Sequence, residues 1–262
     1  MWNVQEIWNS PYSNDSFGAY SEVVPPVHTV SADIDPLQSP STSMLSLAAK
    51  SHRKYIVGGS IPERIECDGQ RVLYNSCSVL DPEGEIVGKF RKIHLFDIDV
   101  PGKMTFFESA TLSGGGDLCT VDIAGITENA FKIGIGICYD LRFSELAEIY
   151  RQKGCSMVVY PAAFNTTTGP LHWELLQRAR AADNQLFIAS CSPAHDGRST
   201  GYPVYGHSMV TDPWSVVVDK LDENEGVLVT EIDLDKVHEV RRSIPILSQK
   251  RNDLYTPIRS KM

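Results

Sequence analysis

FKIGIGICYDLRFSELAEIYRQKG, residues 131–154, decides the fold class. In its first half, strict alternation places Phe131, Ile133, Ile135 and Ile137 on one side of a strand and Lys132, Gly134, Gly136 and Cys138 on the other. The two glycines carry no side chain, so this reading leaves space along the Cys138 face. The second half is helical: Ser144 is placed as its cap, Leu146, Ile149 and Tyr150 form the apolar stripe, and Gly154 ends it. A strand that ends in a cysteine and turns sharply into a helix exposes that side chain and aims backbone N–H groups at it, which suits covalent acyl chemistry. On spacing alone the commoner role of such a cysteine is that of a small buried hydrophobe.

Working outward, CSMVVYP (155–161) reads as a buried strand, LHWELLQRARAADN (171–184) as a helix and QLFIAS (185–190) as a strand. Alternation of strand and helix predicts a layered α/β architecture with helices covering sheet. Upstream, residues 12–40 read as a long loop with short turns, and STSMLSLAAKSHRK as a helix. That helix is given a hydroxyl cap near Ser41 to Ser43 and one apolar side made of Met44, Leu45, Leu47 and Ala48. YIVGGSI is a strand, RVLYNSCSVLD and EIVGKFRKIHL form a hairpin around DPEG, and DLCTVDI pairs with FKIGIGIC, with Gly125 and residues 127–129 between them. Downstream, YGHSMVTDP, SVVVDKL and GVLVTEIDL read as three strands before a short helix. Hairpins mixed with strand-helix-strand units predict mixed sheets. GIGICYD lacks the GxGxxG spacing of a dinucleotide site.

Size and composition narrow the function. With 262 residues and 42% apolar content the chain can bury one large core, and a single domain over 1–262 is expected. A net charge of -9 supplies no broad basic field for nucleic acid. No apolar run reaches the length of a membrane span, and the first residues do not read as a signal peptide. Six cysteines without a CxxC pair, and seven histidines without HExxH, give no metal motif. They fit free thiols in a reducing compartment: the cytoplasm, with a mitochondrial pool also compatible.

Three separated segments carry a resemblance. KIGIGICYDLRFSEL (132–146) resembles the nucleophile segment of the carbon-nitrogen hydrolase, or nitrilase-like, family. GKFRKIHLFDIDVPGKMTFFES (88–109) resembles its lysine segment and VQEIWNSPY (4–12) its glutamate segment. YPAAFNTTTGPLHWELLQRARAADNQ (160–185) and QKRNDLY (249–255) are similar to the omega-amidase branch of the same family. The resemblance implies a four-layer α-β-β-α sandwich with Cys138 as nucleophile, Glu6 as general base and Lys92 as the third catalytic group. Glu108 would support them, and the Tyr139 N–H would join Lys92 in holding an oxyanion. Tyr12, Arg142 and Thr168 would contact substrate, and neither cofactor nor metal is implied. Expected substrates are short omega-amides of dicarboxylic acids, such as alpha-ketoglutaramate and alpha-ketosuccinamate, handled by a homodimer. The family pattern also has an opening strand and helix ahead of its glutamate, whereas only five residues precede Glu6, so an N-terminally shortened domain is expected.

Each residue has a plainer reading when taken singly. Lys92 would be a solvated charge beside Arg91, Glu108 a surface charge and Glu6 terminal decoration. Arg142 would serve packing, and His172 would be a loop or helix-cap hydrogen bonder. Asp140 sits beside Cys138, yet its segment offers no histidine for a triad. Two further readings stay open at this level: a catalytically weak scaffold or binding protein, and an amidase with another small substrate.

Overall fold

Period-2 patterning explains how the first sheet is built. In β4 (Gln70–Leu80), Cys77 and Val79 point into the central core while Leu80 joins the outer cluster. In β2 (Ile56–Val57) the two residues divide the same way. A strand with two apolar faces needs cover on both, which is the physical reason for a layered molecule. The structure, a computed structural model, describes residues 1–124, 131–195 and 201–254.

Short β1 (Trp2–Asn3) pairs in parallel with β2. Strand β4 carries β5 (Ile86–Arg91) on one edge, and on the other β2 and β3 (Ile61–Cys67), all antiparallel to it. A hairpin of β6 (Asp97–Val100) and β7 (Met104–Phe107) follows. The second sheet runs β8 (Thr120–Ile123), β9 (Phe131–Ile135), β10 (Met157–Pro161), β11 (Phe187–Cys191), β12 (Met209–Thr211) and β13 (Val217–Lys220). Its middle strands β9, β10 and β11 are parallel and its outer pairs antiparallel.

After a helical turn, α1 (Asn14–Phe17), helix α2 (Pro40–His52) covers the outer face of the first sheet. On the second sheet, α3 (Ser144–Gln152) and α4 (Gly169–Asn184) pack side by side over the outer face, so that β10 is buried between these helices and the first sheet, and α5 (Asp235–Ser243) and α6 (Ile246–Gln249) complete the chain. Between the sheets lies the main core, where Val57, Cys77, Val79 and Phe90 meet Val121, Ile133 and Ile135. The architecture is the four-layer α-β-β-α sandwich expected from the sequence.

Several local expectations are corrected. Strand β3 was not anticipated, although Asp68-Gly69, both at positive φ, form the two-residue turn that joins it to β4. Helix α2 begins at Pro40, and its first turn is held by the Glu22 carboxylate, which accepts the Ser41 N–H and hydroxyl, rather than by a hydroxyl cap. Met44 and Leu47 face solvent; Leu45 and Ala49 form the buried stripe. Ser144 is the first helical residue of α3, with its hydroxyl on Glu145 instead of the helix N-terminus. Ile149 is exposed, so Leu146 and Tyr150 carry the stripe of α3. Residues 226–234 alternate as foreseen, with Leu228 and Ile232 against the core, but pair with no strand among the described residues; Val227 and Val229 are 86% and 83% exposed. Gly125, residues 127–129 and Tyr255 lie outside the described residues.

Candidate active site

The glycines ahead of Cys138 do not open space beside it. A Cβ on Gly134 would sit 2.5 Å from the Tyr150 ring and one on Gly136 2.4 Å from the Tyr160 ring, so both positions are filled by tyrosines. What the strand supplies is the turn after it. Cys138 opens a 3-10 turn (Cys138–Arg142) at φ +43°, a left-handed conformation that non-glycine residues seldom adopt. Such strain, of order 1–3 kcal/mol, persists only where the surroundings impose it. Cys138 is 4% exposed and its sulfur accepts the Ala163 N–H at 3.5 Å.

Lys92 comes one residue after β5. Alternation sends Lys89 and Arg91 outward to Glu63, while Lys92 turns inward, its N–H on the Asn75 carbonyl at 2.8 Å. Glu108 is returned to the site by the β6–β7 hairpin. Its N–H bonds the Phe96 carbonyl at 3.1 Å and its Oε2 accepts the Phe96 N–H at 2.7 Å. Glu6 follows β1 and is fixed by neighbours on both sides. Ser60 donates its N–H to the Gln5 carbonyl and its hydroxyl oxygen accepts the Ile7 N–H, both at 3.1 Å. This close approach requires Gly59, at φ +66°, where a Cβ would lie 2.3 Å from the Gln5 oxygen.

These segments meet in one buried cluster. Lys92 Nζ donates to Glu6 Oε1 and Glu108 Oε2, each at 2.8 Å, and to the Tyr12 hydroxyl at 3.3 Å; all three charged side chains are shielded from solvent. Asn75 Nδ2 bridges the two carboxylates, at 2.8 Å from Glu6 Oε1 and 3.1 Å from Glu108 Oε1. The Tyr12 hydroxyl lies 3.3 Å from the same two oxygens. Glu6 Oε2 has no hydrogen-bond partner, and the Cys138 thiol is near enough for each group to shift the other's ionisation.

Burial and charge set the protonation states. Burial raises the Glu6 carboxyl, and Glu108 adds to that, against the lowering pull of Lys92. Burial alone would lower Lys92, but Glu108 and Glu6 outweigh it and hold the ammonium well above its usual range. Burial, reinforced by Glu6, pushes Cys138 well up despite Lys92 and the Ala163 amide, so sulfur rests as a thiol. A thiol beside an unpaired carboxylate oxygen and an ammonium can be deprotonated on demand, the requirement for a nucleophile that is neutral at rest.

Of the expected substrate contacts, Arg142 and Thr168 come together and Tyr12 does not join them. Arg142 Nη2 donates to Thr168 Oγ1 at 3.2 Å and Nη1 to His172 Nδ1 at 3.1 Å. Its guanidinium lies over the rings of Phe164 at 4.8 Å and Tyr139 at 5.5 Å. No carboxylate among the described residues pairs with it, and burial lowers its pKa. Tyr12 is committed to the carboxylates and packs on Phe106 and Tyr202. Asn75 and Tyr202 escaped the sequence reading. Tyr202 is half-buried near Cys138, its hydroxyl oxygen accepting Asn165 Nδ2 at 3.4 Å. Among the described residues no His, Cys, Asp and Glu cluster could hold a metal.

Residues 3–242 match the carbon-nitrogen hydrolase family. The chain belongs to that family. It is 51% identical over 254 residues to the omega-amidase NIT2 of Mus musculus, covering 97% of this chain and 84% of that protein. To the chloroplastic omega-amidase of Arabidopsis thaliana it is 51% identical, over 95% of this chain and 63% of the plant protein. Among solved structures, Nit3 of Saccharomyces cerevisiae, a member of branch 10 of the nitrilase superfamily, superposes with a TM-score of 0.80. The two are 39% identical, with 95% of this chain and 82% of Nit3 covered.

Proposed function

We propose that this protein is a thiol-dependent omega-amidase that hydrolyses short omega-amides of dicarboxylic acids, of which alpha-ketoglutaramate and alpha-ketosuccinamate are the expected examples. The observation that carries this reading is the meeting of Cys138, Lys92 and the Glu6–Glu108 pair in one buried cluster. Omega-amidases at about half identity support the substrate class.

In this reading Glu6 Oε2 takes the thiol proton as sulfur attacks the amide carbon. The C–S bond forms while the carbonyl π electrons move to oxygen, and that oxyanion is held by the Lys92 ammonium and the Tyr139 N–H, which lies in the first turn of the 3-10 helix, where N–H groups lack an intrahelical partner. Loss of one such donor removes about 3 kcal/mol of transition-state stabilisation. Glu6 returns the proton to the leaving nitrogen, the C–N bond breaks and ammonia departs. Water deprotonated by Glu6 then attacks the thioester, releasing the acid and restoring the thiol. Glu108, Asn75 and Tyr12 hold Glu6 and Lys92 in register.

Arg142 fits the distal carboxylate of the substrate: it is half-buried, lies over the rings of Phe164 and Tyr139, pairs with no carboxylate among the described residues, and has Thr168 beside it. Ammonia release by wild type and Arg142→Met tests the assignment. KM for an omega-amide bearing a free carboxylate should rise about 30-fold or more, equivalent to about 2 kcal/mol for a lost charge pair. Propionamide, which has no carboxylate, should be turned over equally by both proteins. A wild type inert toward omega-amides would overturn the function.

A homodimer belongs to the same proposal. Leu171 and Leu175, one turn apart on α4, are 65% and 61% exposed and offer an apolar face. Sedimentation velocity should give a dimer for wild type and a monomer for Leu175→Glu. The six free thiols suit a reducing compartment such as the cytoplasm.

A further inference from the structure

Asp140 is fully buried two residues beyond Cys138, and its ion-pair partner is a histidine rather than a lysine or arginine. Its Oδ1 accepts the His94 backbone N–H at 3.0 Å and lies 2.7 Å from His94 Nδ1; because a carboxylate oxygen only accepts, the imidazole donates there. Its Oδ2 accepts the Ile137 N–H at 2.9 Å. One carboxylate therefore ties together two segments far apart in the chain, the residue just before Cys138 and the residue two beyond Lys92. The His94 ring also stacks on Phe143, centroids 3.5 Å apart at 9°, and Phe143 packs edge-on against Tyr139, 5.6 Å away. His94 thus bonds the middle of the strained turn that presents the sulfur and the Tyr139 amide, and stacks on the residue just past its end.

We infer that His94 and Asp140 are a positioning pair that sets the Cys138 turn against the Lys92 ammonium without touching substrate. Neither residue has a role in the proton transfers of the proposed mechanism, on which this inference rests. Their effect is geometric. The oxyanion is gripped from two sides, by Lys92 on one segment and Tyr139 on the other, so any slip between the segments loosens both contacts. The left-handed Cys138 also needs outside support, and the bond from Ile137 N–H to Asp140 closes its turn.

Two His94 variants separate the contacts. His94→Phe keeps a ring against Phe143 but has no Nδ1 donor, whereas His94→Asn places an amide donor near the Nδ1 position and removes the ring. His94→Phe should lower kcat about 10- to 100-fold, the scale of an ångström-level misplacement, with KM within about 3-fold of wild type. Alkylation of Cys138 by iodoacetamide should slow in parallel, and His94→Asn should recover most of both rates. Wild-type kcat in His94→Phe, equal damage in the two variants, or a rate loss that follows the unfolded fraction in a thermal melt would each overturn the inference. The alkylation series reads the turn geometry even if the wild type fails to hydrolyse omega-amides, so the two failures are distinguishable.

Discussion

Glu63 and Glu6 are both glutamates buried beneath cations from the β5 region, and their surroundings move them in opposite directions. Glu63 faces Lys89 and Arg91 and also accepts the Ser76 hydroxyl, so two cations serve one carboxylate. Burial pushes it up, but Arg91, Lys89 and Ser76 outweigh burial and hold it below the usual range. Glu6 shares a single ammonium with a second carboxylate and sits beside a thiol, and its pKa is raised. Charge balance, rather than burial, separates a carboxylate that ties the fold together from one poised to move protons.

The sign follows for stability. Glu63, depressed, contributes stability that is present above the ordinary glutamate pKa and fades as pH falls through its lower folded value. Glu6, raised, favours the fold most when protonated, and that contribution is lost as pH rises through its folded value. An ionised Glu6 therefore works against stability, as is common at catalytic sites.

Four variants and one pH profile sharpen or break this contrast. Cys138→Ala should reduce ammonia release to background, and Glu6→Gln should reduce it about 10³-fold or more, the upper range for loss of a general base. Glu6→Gln should melt at or above the wild-type temperature; a clear drop would make Glu6 a structural residue like Glu63. Glu108→Gln should lower kcat by about 10- to 100-fold through a displaced lysine and carboxylate. The acid limb of kcat/KM in wild type should fall above the 4.5 of an unperturbed glutamate. In Glu108→Gln that limb should move to lower pH, because a charge that raises Glu6 has gone. Glu63→Gln should keep kcat/KM within about 3-fold while losing about 1–3 kcal/mol of stability in denaturant titration, the range for a buried partner left unsatisfied.

Much of the site was legible because its signals are local. Cys138 ends an alternating strand before a helix, and its segment, like those of Lys92 and Glu6, is continuous in sequence. Glu6 has few residues ahead of it, and its fixation by Ser60 and Lys92 comes from contacts that no spacing records. Asn75 was hidden because an inward amide in a strand looks like any other polar residue until two carboxylates close on it. The pairing of Asp140 with His94 was missed for the same reason, being a contact across 46 positions. Gly134 and Gly136 were misread because alternation tells which side a residue faces but not what fills that side. Met44, Leu47, Val227 and Val229 show that an apolar residue can match a periodic pattern and still face water.

Rapid quenching of the enzyme during turnover of a short omega-amide, followed by mass measurement of the intact chain and of its Cys138 peptide, tests the central claim most directly. An adduct on Cys138 equal to the substrate less ammonia should form in wild type and be absent from Cys138→Ala, where ammonia release also ceases. Turnover that continues in Cys138→Ala without such an adduct would contradict that claim.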